Sequence, residues 1–170
     1  MEKVVVYSSL TGNTRKVGEA IAEEIGCKAV SFEDECVNDL SEFDFVAVGF
    51  YVDKGGPDAH FKRYIKEKIK NKNVGLFITL GAEPEGEHGV KMLEVGREIL
   101  EQNGNKILRE FICQGAIDPK LIEQMREMAA KAGNKAVHPI TPEREARWAA
   151  AASHPDETDI ANAKAAFRGV

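Results

Sequence analysis

Nothing in the chain approaches the roughly 18 consecutive apolar residues of a membrane-crossing helix. The N-terminus also lacks the apolar core and cleavage site of a secretory signal, so a cytoplasmic protein without a membrane partner is expected. Cysteine is scarce. Cys27, Cys36 and Cys113 are odd in number and contain no C-x-x-C pair, which argues against a disulfide framework or a zinc site and leaves buried or idle thiols. An excess of positive charge is missing as well: 23 Lys and Arg against 28 Asp and Glu give a net charge of −5. Nucleic acid is therefore not the expected partner, because phosphate binding on that scale needs a net basic face. There is no internal repeat, and the alanine run at Ala149–Ala152 is good helix material.

The remaining composition, 43% hydrophobic and 30% charged over 170 residues, is that of one globular domain spanning 1–170. Four short apolar runs read as buried strands: Lys3–Tyr7, Phe45–Phe50, Val74–Leu80 and Ile107–Cys113, with a weaker one at Lys28–Phe32. Helical spacing separates them, with Val17, Ala20 and Ile21 on one face and Val90, Leu93, Ile99 and Leu100 on another. The basic stretch from His60 to Lys72 repeats Phe61, Ile65 and Ile69 every four residues, which makes its lysines the solvated face of a helix. Strands apolar along their whole length and alternating with helices predict an α/β fold, a doubly wound parallel sheet of five strands with helices on both faces.

Three more helical patterns follow the last strand. One carries Leu121, Met125 and Met128, one starts at Thr141-Pro142, and the last carries Ile160, Ala163 and Phe167. The last is expected to close the sheet, so residues 116–153 form a helical excursion longer than a usual connection. In His154-Pro155-Asp156, a triplet shared with chaperone J-domains, Asp156 is read instead as the cap of that final helix, with Asp159 in its first turn.

The first strand ends in an unusual cluster, Ser8-Ser9-Leu10-Thr11-Gly12-Asn13-Thr14, at the start of the first helix. An N-cap needs one such residue, and here there are several. Open parallel sheets bind ligands beyond the carboxyl ends of their strands, and a helix N-terminus there favours an anion. Hydroxyl and amide groups from Ser9 to Thr14 can wrap a phosphate, Gly12 permits close backbone approach, and Leu10 would contribute its backbone N–H. The run has neither G-x-x-x-x-G-K-[ST] nor G-x-G-x-x-G, and a monophosphate fits it better than a pyrophosphate.

Ser9, Thr11, Gly12 and Thr14 match the Thr/Ser-x-Thr-Gly-x-Thr phosphate loop of the flavodoxin family, which the chain resembles from Met1 to about Gly115. The resemblance implies strand order 2-1-3-4-5, FMN as cofactor, and a flavin ring held by the loops after the third and fourth strands. Candidate ring-binding residues are then Phe50, Tyr51, Val52, Asp53, Lys54 and Gly55 on the first, and Leu80, Gly81, Ala82, Glu83 and His88 on the second. Tyr51 is the candidate flanking aromatic, or else a core residue at a strand end. Gly55 and Gly56 would let a peptide turn over towards the half-reduced ring, a device of this family. Glu83, Glu85, Glu87 and His88 lie in a Gly/Pro-rich loop without metal-ligand spacing, and the acids would instead disfavour electron uptake and help a basic partner dock. No residue near the ring resembles a general base. The expectation is an electron carrier between oxidoreductases, monomeric or weakly dimeric, whose excursion would cover the flavin, receive a dedicated redox partner, or make the protein a subunit of a specific reductase. The alternatives are an NAD(P)H-dependent FMN reductase of quinones or other small acceptors, and a non-redox interaction module on the same fold.

Overall fold

Five parallel strands run in the order β2-β1-β3-β4-β5 in the computed structural model, which describes residues 1–170. They are β1 (Lys3–Tyr7), β2 (Lys28–Ser31), β3 (Phe45–Tyr51), β4 (Asn73–Leu80) and β5 (Lys106–Gln114). The three central strands are buried almost throughout, as strands covered on both faces must be. The edge strands β2 and β5 are only half-buried. The connecting helices are α1 (Asn13–Ile25), α2 (Ala59–Lys68), α3 (Glu87–Glu101), α4 (Pro119–Ala132), α5 (Pro142–Ala151) and α6 (Glu157–Phe167). None is long and apolar enough to cross a membrane.

Strand periodicity divides the core in two. Val74, Leu76, Ile78 and Leu80 of β4 face α2 and α3, where Phe61, Tyr64, Ile65, Ile99 and Leu100 fill one layer. Phe77 faces the other way, onto α1 and α6, with Val17, Ile21, Ala163 and Phe167. Two glycines make room for the large rings of this second layer. A Cβ on Gly49 would lie 2.0 Å from Phe77, and one on Gly75 would lie 2.3 Å from Phe167. The two rings meet edge to face, 6.4 Å apart at 86°.

α6 is thus the helix that closes the sheet, as its sequence pattern predicts. Its capping box is complete: Asp156 accepts from the Asp159 N–H, and Asp159 accepts from the Asp156 N–H. His154 Nδ1 meets the same Asp159 carboxylate, so the triplet is a helix start. The backbone hydrogen bond from Asp159 holds the Asp156 carboxyl below its ordinary range. Cys113, buried at the end of β5, has its thiol pushed up to about 12 by burial. It stays protonated at neutral pH, as befits an idle core thiol.

Two sequence expectations need correction, and one helix forms without the burial its stripe suggests. The basic helix stops at Lys68 rather than reaching Lys72, because Asn103 Nδ2 binds the carbonyls of Ile65, Lys66 and Ile69 and Asn105 Nδ2 binds that of Ile69. These side chains satisfy the last carbonyls of α2, and Ile69 turns to extended backbone while remaining buried. Val90 is exposed. α3 packs so close to β4 that Gly96 lies against Leu76, which rotates the buried stripe onto Met92, Ile99 and Leu100. α4 forms as expected, yet no residue of it is buried, and Leu121 and Met128 are 48% and 61% exposed.

Candidate functional site

Strand order reverses between β1 and β3, and the loop from Ser8 to Thr14 leaves the sheet at that point. Ser8 is not part of a cradle. Its N–H continues the ladder to the Gly49 carbonyl (2.9 Å), and its buried hydroxyl donates to Asp58 Oδ2 at 2.6 Å. Asp58 in turn caps α2 by accepting from the His60 and Phe61 N–H groups.

Beyond Ser8 the backbone changes character. Gly12 adopts φ 97°, a left-handed conformation suited to glycine, and offers α1 no side-chain cap. None of the backbone N–H groups from Ser9 to Thr14 has an acceptor within the protein. Ser9 Oγ accepts from the Arg15 N–H at 3.2 Å and so completes the first turn. A run of unpaired donors at a helix N-terminus is an arrangement that suits an anion. Leu10 fits this arrangement, since its side chain is 68% exposed and only its backbone is of use to a ligand.

Side chains fix the loop to the rest of the sheet. Thr14 Oγ1 and Thr79 Oγ1 share a buried hydrogen bond of 2.8 Å, joining α1 to the end of β4. Asn13 Nδ2 donates to the Ala116 carbonyl at 2.9 Å, and Gly115 packs directly against Asn13. T14V or T79V alone leaves the other hydroxyl buried without its partner, at an expected cost of about 1–2 kcal/mol in urea unfolding. The T14V/T79V double variant should cost clearly less than the sum; strictly additive losses would show that the pair is not coupled.

A cavity of about 390 Å³ opens beside this loop. Of the expected residues, Ser9, Leu10, Thr11, Asn13, Thr14, Tyr51, Val52, Asp53, Leu80, Gly81, Ala82 and His88 line it. Gly12, Lys54, Gly55 and Glu83 do not form its wall. Lys54 and Gly55, at φ 48° and 85°, are the corners of a turn closed by the reciprocal hydrogen bonds of Asp53 and Gly56. Phe50 is corrected: strand alternation sends it into the α2 and α3 core at 1% exposure, while its neighbour Tyr51 reaches the cavity. Tyr51 is half-buried at the strand end, and burial, followed by the carboxylates of Asp58 and Asp53, raises its phenol above the ordinary range.

Sequence reasoning allowed the excursion to cover the ring but assigned none of the far wall's residues to the site. Thr79 and Gly115 to Asp118 continue the strand ends, and the excursion contributes Leu121 and Met125 from α4 with Arg144, Arg147 and Trp148 from α5. Trp148, the sole tryptophan, is buried at 8% exposure, with the Arg126 and Arg144 guanidinium groups 5.4 and 6.0 Å from its ring centre. That ring on an otherwise alanine-rich helix was the available signal. The excursion also returns to the loop. The Ala116 N–H donates to the His154 carbonyl (2.8 Å), and Lys16 Nζ donates to that of Pro155 (2.9 Å).

A doubly wound parallel sheet with a run of unpaired N–H donors at its switch point, opening on a cavity walled by the next two strand ends, defines a flavodoxin-like protein. The chain belongs to the flavodoxin-domain family, whose model matches residues 4–168. It is 36% identical over 165 residues to the flavodoxin-like domain-containing protein BilS of Clostridioides difficile, covering 94% of this chain and 90% of that protein. Among solved structures, an archaeal flavodoxin superposes with a TM-score of 0.57 at 20% identity, over 81% of this chain and 100% of that one. A flavoprotein from Lactobacillus acidophilus, solved in complex with FMN, superposes at 0.51 and 17% identity, over 72% and 97%.

Proposed function

We propose that this protein binds FMN in the described cavity and carries electrons between redox partner proteins. The observation that carries the reading is the unbroken run of unpaired N–H groups from Ser9 to Thr14, opening on one cavity with the β3 and β4 loops. Such a loop suits a phosphate, and the adjoining walls suit a ring. The relative solved with FMN has the same fold and supports the choice of ligand.

Bound flavin supplies the redox chemistry itself, and the chain supplies position and environment. The N–H groups from Ser9 to Thr14 hold the phosphate. Tyr51 offers its ring as one wall, and Val52, Leu80 and Ala82 line the cavity with apolar surface that excludes water. The N–H groups of Gly81, Ala82 and Glu83 also lack protein acceptors and are available to the polar edge of a ring. Around them, exposed Glu83, Glu85 and Glu87 put negative charge at this end of the sheet, which disfavours added electron density and favours basic partners.

Reconstitution tests the reading. Purified apoprotein should take up FMN with a Kd below about 1 μM, corresponding to roughly −8 kcal/mol. Stepwise reduction with dithionite should then bleach it reversibly, and the isolated loaded protein should oxidise NADPH no faster than a slow leak. Failure to take up FMN defeats the proposal, and enzyme-like NADPH oxidation converts the carrier into a reductase.

A further inference from the structure

We propose that Arg144 and Arg147, carried by α5 of the excursion, supply the counter-charge for the phosphate held by the β1–α1 loop and make the protein select FMN over unphosphorylated riboflavin. The inference rests on the FMN reading above.

The loop itself has no charge to offer. Ser9 to Thr14 contains only neutral side chains, and the two cations that follow are committed elsewhere. Arg15 Nε pairs with Glu19 at 2.7 Å, and Lys16 Nζ donates to the Pro155 carbonyl. A phosphate bearing up to two negative charges would meet oriented dipoles alone.

α5 places Arg144 and Arg147 among the residues that line the same cavity. Arg144 and Arg147 are three residues apart and so share a helix face. Neither has a carboxylate within ion-pair distance, in contrast to Arg126 beside them, which pairs with Glu145. Arg144 is held in place by the Trp148 ring and by a hydrogen bond to the Pro139 carbonyl at 3.3 Å, and it keeps further donors free. The carboxylates lining the cavity are Asp53 and Asp118, and Asp118 is engaged in capping α4 through the Lys120 N–H.

The tethers fix where α5 ends. Asn13 binds Ala116, Ala116 binds His154, and Lys16 binds Pro155. The exit of α5 is thereby fastened to the first turn of α1, with Arg147 about one turn before that exit and Arg144 on the opening turn of the helix. A planar, permanently charged fork is the side chain best matched to phosphate oxygens, and the partly enclosed site limits screening.

The test compares FMN with riboflavin on apoprotein, reading quenching of both flavin emission and the emission of the sole tryptophan. R144Q/R147Q should weaken FMN about 10- to 100-fold, leave riboflavin within about twofold, and flatten the salt dependence of FMN binding. R144K/R147K, which keeps the charge, should recover much of the loss, and thermal unfolding of each variant checks that the fold is retained. Unchanged FMN affinity overturns the inference, and so does an equal loss for both flavins, which would make the arginines part of the ring wall. A wild-type protein that takes up neither flavin defeats the FMN reading and this inference with it. A wild-type protein that binds FMN while the glutamine variant is indifferent defeats this inference alone.

Discussion

Replacing Phe77 with alanine is expected to lower the free energy of unfolding by about 3–5 kcal/mol, seen as a fall in the urea midpoint at unchanged slope. The ring is fully buried between the sheet and α1 and α6, over Gly49, against Gly18, and edge to face with Phe167. Its neighbours cannot collapse into the gap, since Gly18 and Gly49 have no side chains to extend and both helices are held by the remaining layer. The same geometry makes G49A harmful in the opposite sense, by forcing a methyl to within 2.0 Å of ring carbons. Combining G49A with F77L should recover part of the loss caused by G49A. A loss below about 1 kcal/mol for F77A would mean that α6 closes the sheet by other contacts.

N13D is expected to weaken FMN binding by about a hundredfold, with a loss of stability of about 1–2 kcal/mol. Asn13 opens α1, where the helix dipole favours a carboxylate, but the new acceptor would face the Ala116 carbonyl that the Nδ2 now binds. For the ligand the balance differs. A negative charge added to the loop that would hold the phosphate repels it, and a hundredfold loss corresponds to about 3 kcal/mol. N13A removes the tether without adding charge and should cost only several-fold. Fluorescence titration with FMN and riboflavin separates the outcomes, because the penalty from N13D should be confined to the phosphorylated flavin. Equal weakening of both would show that the loop deforms and that charge is not the cause.

The central strands were legible because burial on both faces demands uninterrupted apolar runs, and β1, β3 and β4 have them. β5 was read with them from Ile107–Cys113 although Arg109 and Glu110 sit inside it, and β2 gave the weaker pattern because an edge strand, only half-buried, needs no uninterrupted apolar run. The phosphate-type loop was legible from its residue types, but not the division of labour within it: Ser8 serves Asp58, Thr14 serves Thr79, and the backbone carries the unpaired donors. Phe50 and Tyr51 are adjacent on β3, and strand alternation sends them to opposite faces, so only Tyr51 reaches the cavity. The stripe of Leu121, Met125 and Met128 showed that α4 is amphipathic without showing what the stripe faces, and it borders the cavity and solvent. The wall of Arg144, Arg147 and Trp148 depends on the return of the chain to α1, a long-range fact that no local pattern contains.

Ala116 and His154 meet through one backbone hydrogen bond, so everything between them is a detour that starts and finishes at the same place. Residues can be gained or lost within such a detour without shifting the register of β5 or the docking of α6. The entropic penalty for doubling its length is only about 0.6 kcal/mol. The far wall of the cavity is therefore free to vary over evolutionary time independently of the sheet, and a change of ligand or partner could be accommodated there while the parts that hold the molecule together stay as they are.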